Sequence, residues 1–260
     1  MSIHPSPLWR RAGRIWVQGL LLLCLRLAQN RTGFDPDTGL SVPCAAGTIL
    51  AVCLIFCAAA ELVLCLRLPK EKTAFVDYFA PPEREKAALA AGCLLLLAGG
   101  GWLAFLTLTS HSIADAATGL LAAATGGGFL LLVRQVRSGG TVTVAPALPS
   151  LFFGVFFVLS VYLPAGSDPV LTRFYVPVLA AALTAYAFSQ LAGFLRREGS
   201  ARAFAFTADL AVLLCLCALA DGGGPQKLLF AGCAIVLSVF LALRRAAPLQ
   251  EPDSGAAAPH

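Results

Sequence analysis

The chain has 260 residues, of which 58% are hydrophobic and 13% charged, and its mean hydropathy is +0.80. Soluble domains carry about 25% charged residues, so this composition excludes a water-soluble single domain. The net charge of +5 does not indicate nucleic-acid binding, because the 19 lysines and arginines are scattered between apolar runs. The sequence therefore predicts an all-α, polytopic transmembrane helical bundle with the lipid bilayer as its surroundings and no nucleic-acid partner.

The apolar runs define the predicted spans, since about 20 residues of helix cross a bilayer core. A first run, 15–28, is short and is interrupted by Arg26, so three interpretations stay open: a short or tilted span, an interfacial helix and a cleaved signal peptide. We favour the span, which gives about eight spans in a single domain over residues 1–245. A cytoplasmic tail, 246–260, is expected to be disordered. The seven firm spans are 44–66, 87–109, 113–133, 142–163, 174–195, 203–220 and 228–243.

The basic residues predict the orientation. With eight spans and a cytoplasmic N-terminus, fifteen lysines and arginines lie in cytoplasmic segments and four lie outside. This distribution obeys the positive-inside rule and places both termini in the cytoplasm. The short loops are typical of a bacterial plasma-membrane protein and leave no room for a soluble catalytic domain.

Two acids at membrane depth are the candidate polar site, because an ionised side chain in a span is costly unless it is paired or faces water. Glu61 and Asp209 each lie about six residues from the predicted cytoplasmic end of their span. We expect them to share a pocket that contacts a small solute or cation, with Gln190 and Ser189 as weaker contributors.

A second interpretation of the two acids is structural. Each could pair with an arginine near the cytoplasmic surface, such as Arg67 or Arg134, and only fasten the bundle. Variants that neutralise the acids would separate the two interpretations, since a fastening role predicts loss of protein abundance alone.

Asp115 has a local explanation. Ser112 and Asp115 are spaced as a capping box at a helix start, so we assign them a structural role as a helix cap. His111, directly before them, is interpreted as an ordinary loop histidine at the membrane interface.

Small residues predict close helix packing. Gly119, Ala123 and Gly127 recur every four residues in one span, and Gly100 lies on a similar face of the preceding span. The glycine triplets of these spans could instead be hinges at a solute site.

The cysteines and the missing motifs argue against chemistry. Most of the nine cysteines fall within apolar spans and are interpreted as small buried hydrophobes. Cys24 and Cys44 would both lie near the outer surface, so a disulfide between them is an open question. No nucleophile elbow, zinc-binding pair or phosphate-binding loop is present in the sequence. We therefore expect no metal and no cofactor, and the sequence favours a non-enzyme.

Two functional classes remain. One is a permease-like or small-solute-binding membrane component. The other is a non-catalytic scaffold or subunit of a larger membrane complex, which would contact a membrane or cytoplasmic protein through the aromatic 67–86 loop. An interfacial anchor is the simpler interpretation of that loop, because aromatic side chains favour the membrane surface. An intramembrane lipid-modifying enzyme ranks third.

Overall fold

The computed structural model describes residues 7–35, 40–68, 72–79, 85–110, 112–137, 143–166, 174–221 and 223–244. The predicted tail, 246–260, and His111 lie outside these ranges. The helices are α1 (Pro7–Thr32), α2 (Ala45–Leu66), α3 (Phe75–Tyr78), α4 (Lys86–Ser110), α5 (Ile113–Arg137), α6 (Leu148–Gly166), α7 (Tyr175–Leu195), α8 (Ala201–Ala218) and α9 (Gly224–Ala242). Two short strands, β1 (Lys72–Thr73) and β2 (Gly199–Ser200), and a 3₁₀ turn (Ala145–Ala147) complete the described elements.

The all-α membrane bundle is confirmed. Within the described ranges, α2 and α4 to α9 are the seven helices long and apolar enough to cross a bilayer. Helix α1 has 26 residues, more than any of those seven, but it is not among them. Its polar residues at both ends lower its mean hydropathy, so length and composition alone do not identify it as a span.

Successive long helices run in opposite directions. The start of α1 and the end of α9 lie at one end of the bundle, which we call the terminal end, and the opposite end is the distal end. Helix α1 runs parallel to α8, because Arg11 contacts Asp209 and, about 22 Å further along α1, Arg26 contacts Asp221. It therefore packs along the bundle over most of its length, and it extends beyond the predicted segment 15–28 at both ends.

The centre of the bundle is formed by α8 and α9. In the apolar windows of these helices 78% and 72% of residues are buried, against 17% in α2. Alanines of α8 such as Ala205, Ala208 and Ala211 are fully buried, and their small side chains let neighbouring helices approach closely. Helix α2 is peripheral, and most of its apolar surface faces outward.

Proline sets the start of the helix in the span predicted near residues 142–163. The helix begins with the 3₁₀ turn Ala145–Ala147, which contains Pro146, and continues as α6 from Leu148. Proline has no backbone N–H and is tolerated in the first turn of a helix rather than its interior. Pro149 of α6 and Pro177 of α7 occupy such first-turn positions.

The loop between α2 and α4 folds against the terminal end. Strand β1 pairs with β2 in an antiparallel register that joins Lys72 to Ser200. The rings of Phe75, Tyr78 and Phe79 are buried, and the Tyr78 hydroxyl donates to the carbonyl of Ala201 at 3.5 Å. Burial raises the pKa of Tyr78 to about 12. These aromatic rings therefore belong to the core of the bundle and not to the membrane interface that the sequence predicted.

Helices α4 and α5 pack backbone to backbone through glycine. A Cβ atom built on Gly100 would lie 2.5 Å from the carbonyl oxygen of Gly119, and one on Gly119 would lie 2.5 Å from that of Gly100. The predicted repeat does not continue to Gly127, whose Cβ position faces open space, because Gly126 takes the contact with α4 instead. Close packing is thus the role of Gly100 and Gly119.

This contact predicts opposite effects at two adjacent glycines. We expect Gly100→Ala to lower the free energy of unfolding by about 1–3 kcal/mol, because the new methyl group collides with α5. Gly101 has nothing within 4 Å of its Cβ position, so we expect Gly101→Ala to be neutral or to stabilise the helix by up to about 1 kcal/mol. Unfolding of the detergent-solubilised protein measures both. Equal effects at the two positions would contradict the close approach of α4 and α5.

Candidate functional sites at the two ends of the bundle

The two candidate acids meet at the terminal end. Glu61 projects from α2 and Asp209 from α8, and both side chains are fully buried. Each faces α1, which lies between them. Arg14 Nη2 donates to both carboxylate oxygens of Glu61 at 2.8 Å. Arg11 Nη2 donates to Asp209 Oδ2 and lies 3.9 Å from Glu61 Oε2.

This charge cluster, Arg11, Arg14, Glu61 and Asp209, contains two positive and two negative groups. A buried charge is tolerated when an opposite charge and hydrogen bonds compensate it. The cluster therefore joins α1 to both α2 and α8 without a net charge inside the bundle. Cys65 adds a further contact, because its sulfur accepts from Arg11 Nη2 at 3.1 Å.

The arginines that pair with the acids are not the ones proposed from sequence. Arg67 and Arg134 are both exposed, and the partners come instead from the first helix. The reason is geometric: α1 places its arginines one turn apart on the side that faces α2 and α8. A different arginine, Arg202, donates to the carbonyls of Leu66 and Leu68 at 2.7 Å and so satisfies acceptors at the end of α2.

The weaker candidates on α7 do not join the acids. The hydroxyl of Ser189 donates to the carbonyl of Tyr186 in its own helix at 2.7 Å. Gln190 is half-buried, and within the described part of the chain neither residue is hydrogen-bonded to Glu61 or Asp209.

The other sequence assignments have plain structural positions. The hydroxyl of Ser112 accepts from the backbone N–H of Asp115 at 3.3 Å at the start of α5. Cys24 and Cys44 are free thiols, and the sulfur of Cys44 accepts from the backbone N–H of Gly47 at the start of α2. In the described ranges no three His, Cys, Asp or Glu residues are grouped so that they could hold a metal ion.

A second polar network lies at the distal end. Arg26 is fully buried, and its Nε is 2.9 Å from both carboxylate oxygens of Asp221. Its Nη1 donates to Gln29 Oε1 at 2.7 Å, and its guanidinium lies 5.0 Å from the centre of the Tyr175 ring. Asn30 Nδ2 donates to Asp221 Oδ1 at 2.8 Å. These contacts fasten α1 to the end of α8.

A cavity of about 440 Å³ opens beside this network. Its polar lining comes from Asn30, Asp221 and Gln226, and its aromatic lining comes from Phe34 and Phe174. A volume of this size and a few polar groups in an otherwise apolar wall are typical of small-molecule sites. Neither Glu61 nor Asp209 lines it.

Comparison with known proteins does not assign a family. No protein-family model, curated protein or solved structure matches this chain. The geometry of the two ends of the bundle therefore carries the information on function.

Two side chains that line the distal cavity have hydrogen-bonding atoms without a partner among the described residues. The side-chain oxygen of Gln226 accepts from the N–H of Gly223, while its amide nitrogen makes no hydrogen bond with the described part of the chain. Asn30 donates to Ala220 and Asp221, and its side-chain oxygen accepts no hydrogen bond from those same described ranges. One donor and one acceptor are thus available to a bound molecule.

This distal site was not predicted from the sequence. Arg26 was interpreted as an interruption of the first span, and Asp221 lies just beyond the predicted span 203–220. A basic residue inside an apolar helix was the available signal, since such a residue is costly unless it has a partner. The partner itself, 195 positions further along the chain, is identified only by the fold.

Proposed function

We propose that this multi-pass membrane protein binds a small polar solute in the distal cavity, as a permease-like or solute-capturing component. The observation that supports this function is the cavity of about 440 Å³, in which the amide nitrogen of Gln226 and the side-chain oxygen of Asn30 have no hydrogen-bond partner among the described residues. Arg26 and Asp221 neutralise each other, so the site favours an uncharged or zwitterionic solute over an ion of net charge. Glu61 and Asp209 keep a structural role in this proposal.

The proposal includes the membrane orientation. If α8 crosses the bilayer, α1 crosses it as well, since the two helices lie parallel and are joined near both ends. The chain then has eight spans in the plasma membrane of a bacterial cell, with the basic terminal end in the cytoplasm and the distal cavity outside. In this proposal α1 is a span and not a cleaved signal peptide, because it supplies Arg11 and Arg14, the partners of Asp209 and Glu61.

Thiol labelling tests the cavity. Ala220→Cys should react with a charged, membrane-impermeant methanethiosulfonate reagent added from outside, because Ala220 lines the cavity and a cavity thiol in contact with water can ionise. Tyr162→Cys is the matched control, since Tyr162 is 53% exposed on α6 and its thiol would face lipid. The parent chain gives the background labelling of the native cysteines.

Protection by solutes tests binding. A panel of amino acids, polyols, monosaccharides and small amides is added before the reagent. A solute present at ten times its Kd should slow the labelling of Ala220→Cys about tenfold. If Ala220→Cys is not labelled, or is labelled equally with every solute, the solute-binding function is wrong. The scaffold would then be the better explanation of a bundle with closely packed helices.

A further inference from the structure

An apolar groove opens near the terminal end, on a different side of the bundle from the charge cluster. Its volume is about 410 Å³. Helix α1 forms one wall with Gly13 and Trp16, α4 forms the other with Ala88 and Ala91, and α9 forms the floor, which includes Ser238. Apart from its chain neighbours and the backbone of its own helix, no described atom lies within 4 Å of a Cβ position at Gly13, and Ala91 is exposed. The small residues of the two walls therefore leave a space that these helices do not fill.

Among the described residues that line the groove, no polar side chain is free to bind a ligand. Its two polar side-chain groups satisfy each other, because Trp16 Nε1 donates to the hydroxyl of Ser238 at 3.0 Å. That hydroxyl in turn donates to the carbonyl of Ala234 at 2.6 Å. A polar solute would lose its hydration here without replacement hydrogen bonds. The occupant must be apolar where it touches the walls.

The end of the groove is basic. Lys86 is the first residue of α4, is exposed, and lies two positions before Ala88. Arg244 follows the end of α9, whose Val239 lines the groove, and is half-buried. Glu85, the residue before Lys86, is half-buried, so Lys86 is the more accessible of these two charges.

We propose that the groove binds one acyl chain of an anionic phospholipid, with the lipid phosphate at the terminal end beside Lys86. An apolar channel that runs between spans and ends at basic residues matches both parts of such a lipid. Lipid from the surrounding bilayer reaches the groove laterally, so no aqueous path is needed. The proposal uses none of the residues of the distal cavity and is independent of the solute-binding function.

Quenching of Trp16 fluorescence by brominated lipid tests the site. The other two tryptophans are removed with Trp9→Phe and Trp102→Phe, and the full chain is reconstituted in phosphatidylcholine vesicles. Brominated phosphatidylglycerol or brominated phosphatidylcholine is then added as a small fraction of the lipid. One basic residue at a membrane surface contributes about 1 kcal/mol to anionic-lipid binding, so the anionic lipid should quench at about fivefold lower mole fraction.

Two groups of variants give the controls. Lys86→Gln should bring the two quenching curves together. Gly13→Leu and Ala91→Leu fill the groove from opposite walls and should reduce quenching by both lipids. Gly101→Leu adds the same bulk at an open position of α4 near the distal end and should leave the quenching unchanged.

Three results would overturn the proposal. Equal quenching by the two lipids in the parent would mean that the groove is ordinary lipid-facing surface. Absence of quenching by either would mean that protein covers it, for example a second copy of the chain. An anionic preference that persists in Lys86→Gln would place the phosphate elsewhere. Size-exclusion profiles of each variant identify any chain that fails to fold. If one of Gly13→Leu and Ala91→Leu fails to fold, the quenching measured with the other one tests the groove.

Discussion

Replacing Arg11 with leucine is expected to lower the free energy of unfolding by about 3–5 kcal/mol, the usual cost of removing one partner of a buried ion pair. Asp209 would be left fully buried without the guanidinium that compensates its carboxylate. Arg11→Leu/Asp209→Leu removes both charges and should recover most of that loss, because an apolar pair of similar volume replaces a compensated one. Unfolding of the detergent-solubilised protein, followed by tryptophan fluorescence, measures the three chains.

The matched control is Arg67→Leu. Arg67 is exposed at the end of α2 and was an expected partner of the acids from sequence alone. Its replacement should change the free energy of unfolding by less than about 0.5 kcal/mol. If the single and double variants of Arg11 and Asp209 are equally unstable, the cluster is not a coupled unit and the acids are free for another role.

The number, type and approximate length of the apolar helices could be predicted from sequence, because each span must satisfy its own backbone hydrogen bonds and cover about 30 Å of hydrocarbon. Continuous apolar runs carry that information locally. The span at α1 was the exception. Its stability depends on Asp209 and Asp221, which lie far along the chain, so its own composition could not establish that it belongs to the bundle.

The candidate site was also predictable only in part: the acids could be identified from the sequence, but their partners could not. The unusual positions of Glu61 and Asp209 were visible in the sequence, since an acid inside an apolar run requires compensation. Their partners were not visible, because three arginines at the start of the chain and several near the ends of other spans were equally available. Which arginine faces which acid depends on the parallel packing of α1 against α8, and that is a property of the fold.

The aromatic residues of the loop between α2 and α4 were assigned to the membrane interface from sequence, but the structure buries three of their rings in the bundle. Aromatic residues between two spans are typical of the membrane interface, and the sequence alone supported that interpretation. The antiparallel pairing of β1 with β2 instead draws the loop under the bundle. Phe79 is 1% exposed, and its ring centre lies 5.2 Å from that of Phe194 and 5.6 Å from those of Phe204 and Phe240.

Phe79→Ala should therefore cost about 3–5 kcal/mol in the free energy of unfolding, as for a large aromatic side chain in a packed core. Val76, three residues earlier in the same loop, is 50% exposed. Val76→Ala should change the free energy by less than about 0.5 kcal/mol and serves as the control. Thermal or denaturant unfolding in one detergent compares the two chains directly.

An interfacial loop and a buried loop make different predictions for the conservative variant as well. Phe79→Leu keeps an apolar side chain, so an interfacial anchor would lose little. In the buried cluster, Phe79→Leu leaves a gap between rings from α7, α8 and α9 and loses their edge-to-face contacts, worth about 0.5–1.5 kcal/mol per pair. A loss for Phe79→Leu that lies between those of Val76→Ala and Phe79→Ala would mean that this loop closes the terminal end of the bundle. Equal stability of Phe79→Leu and the parent chain would instead favour a loop that lies at the membrane surface.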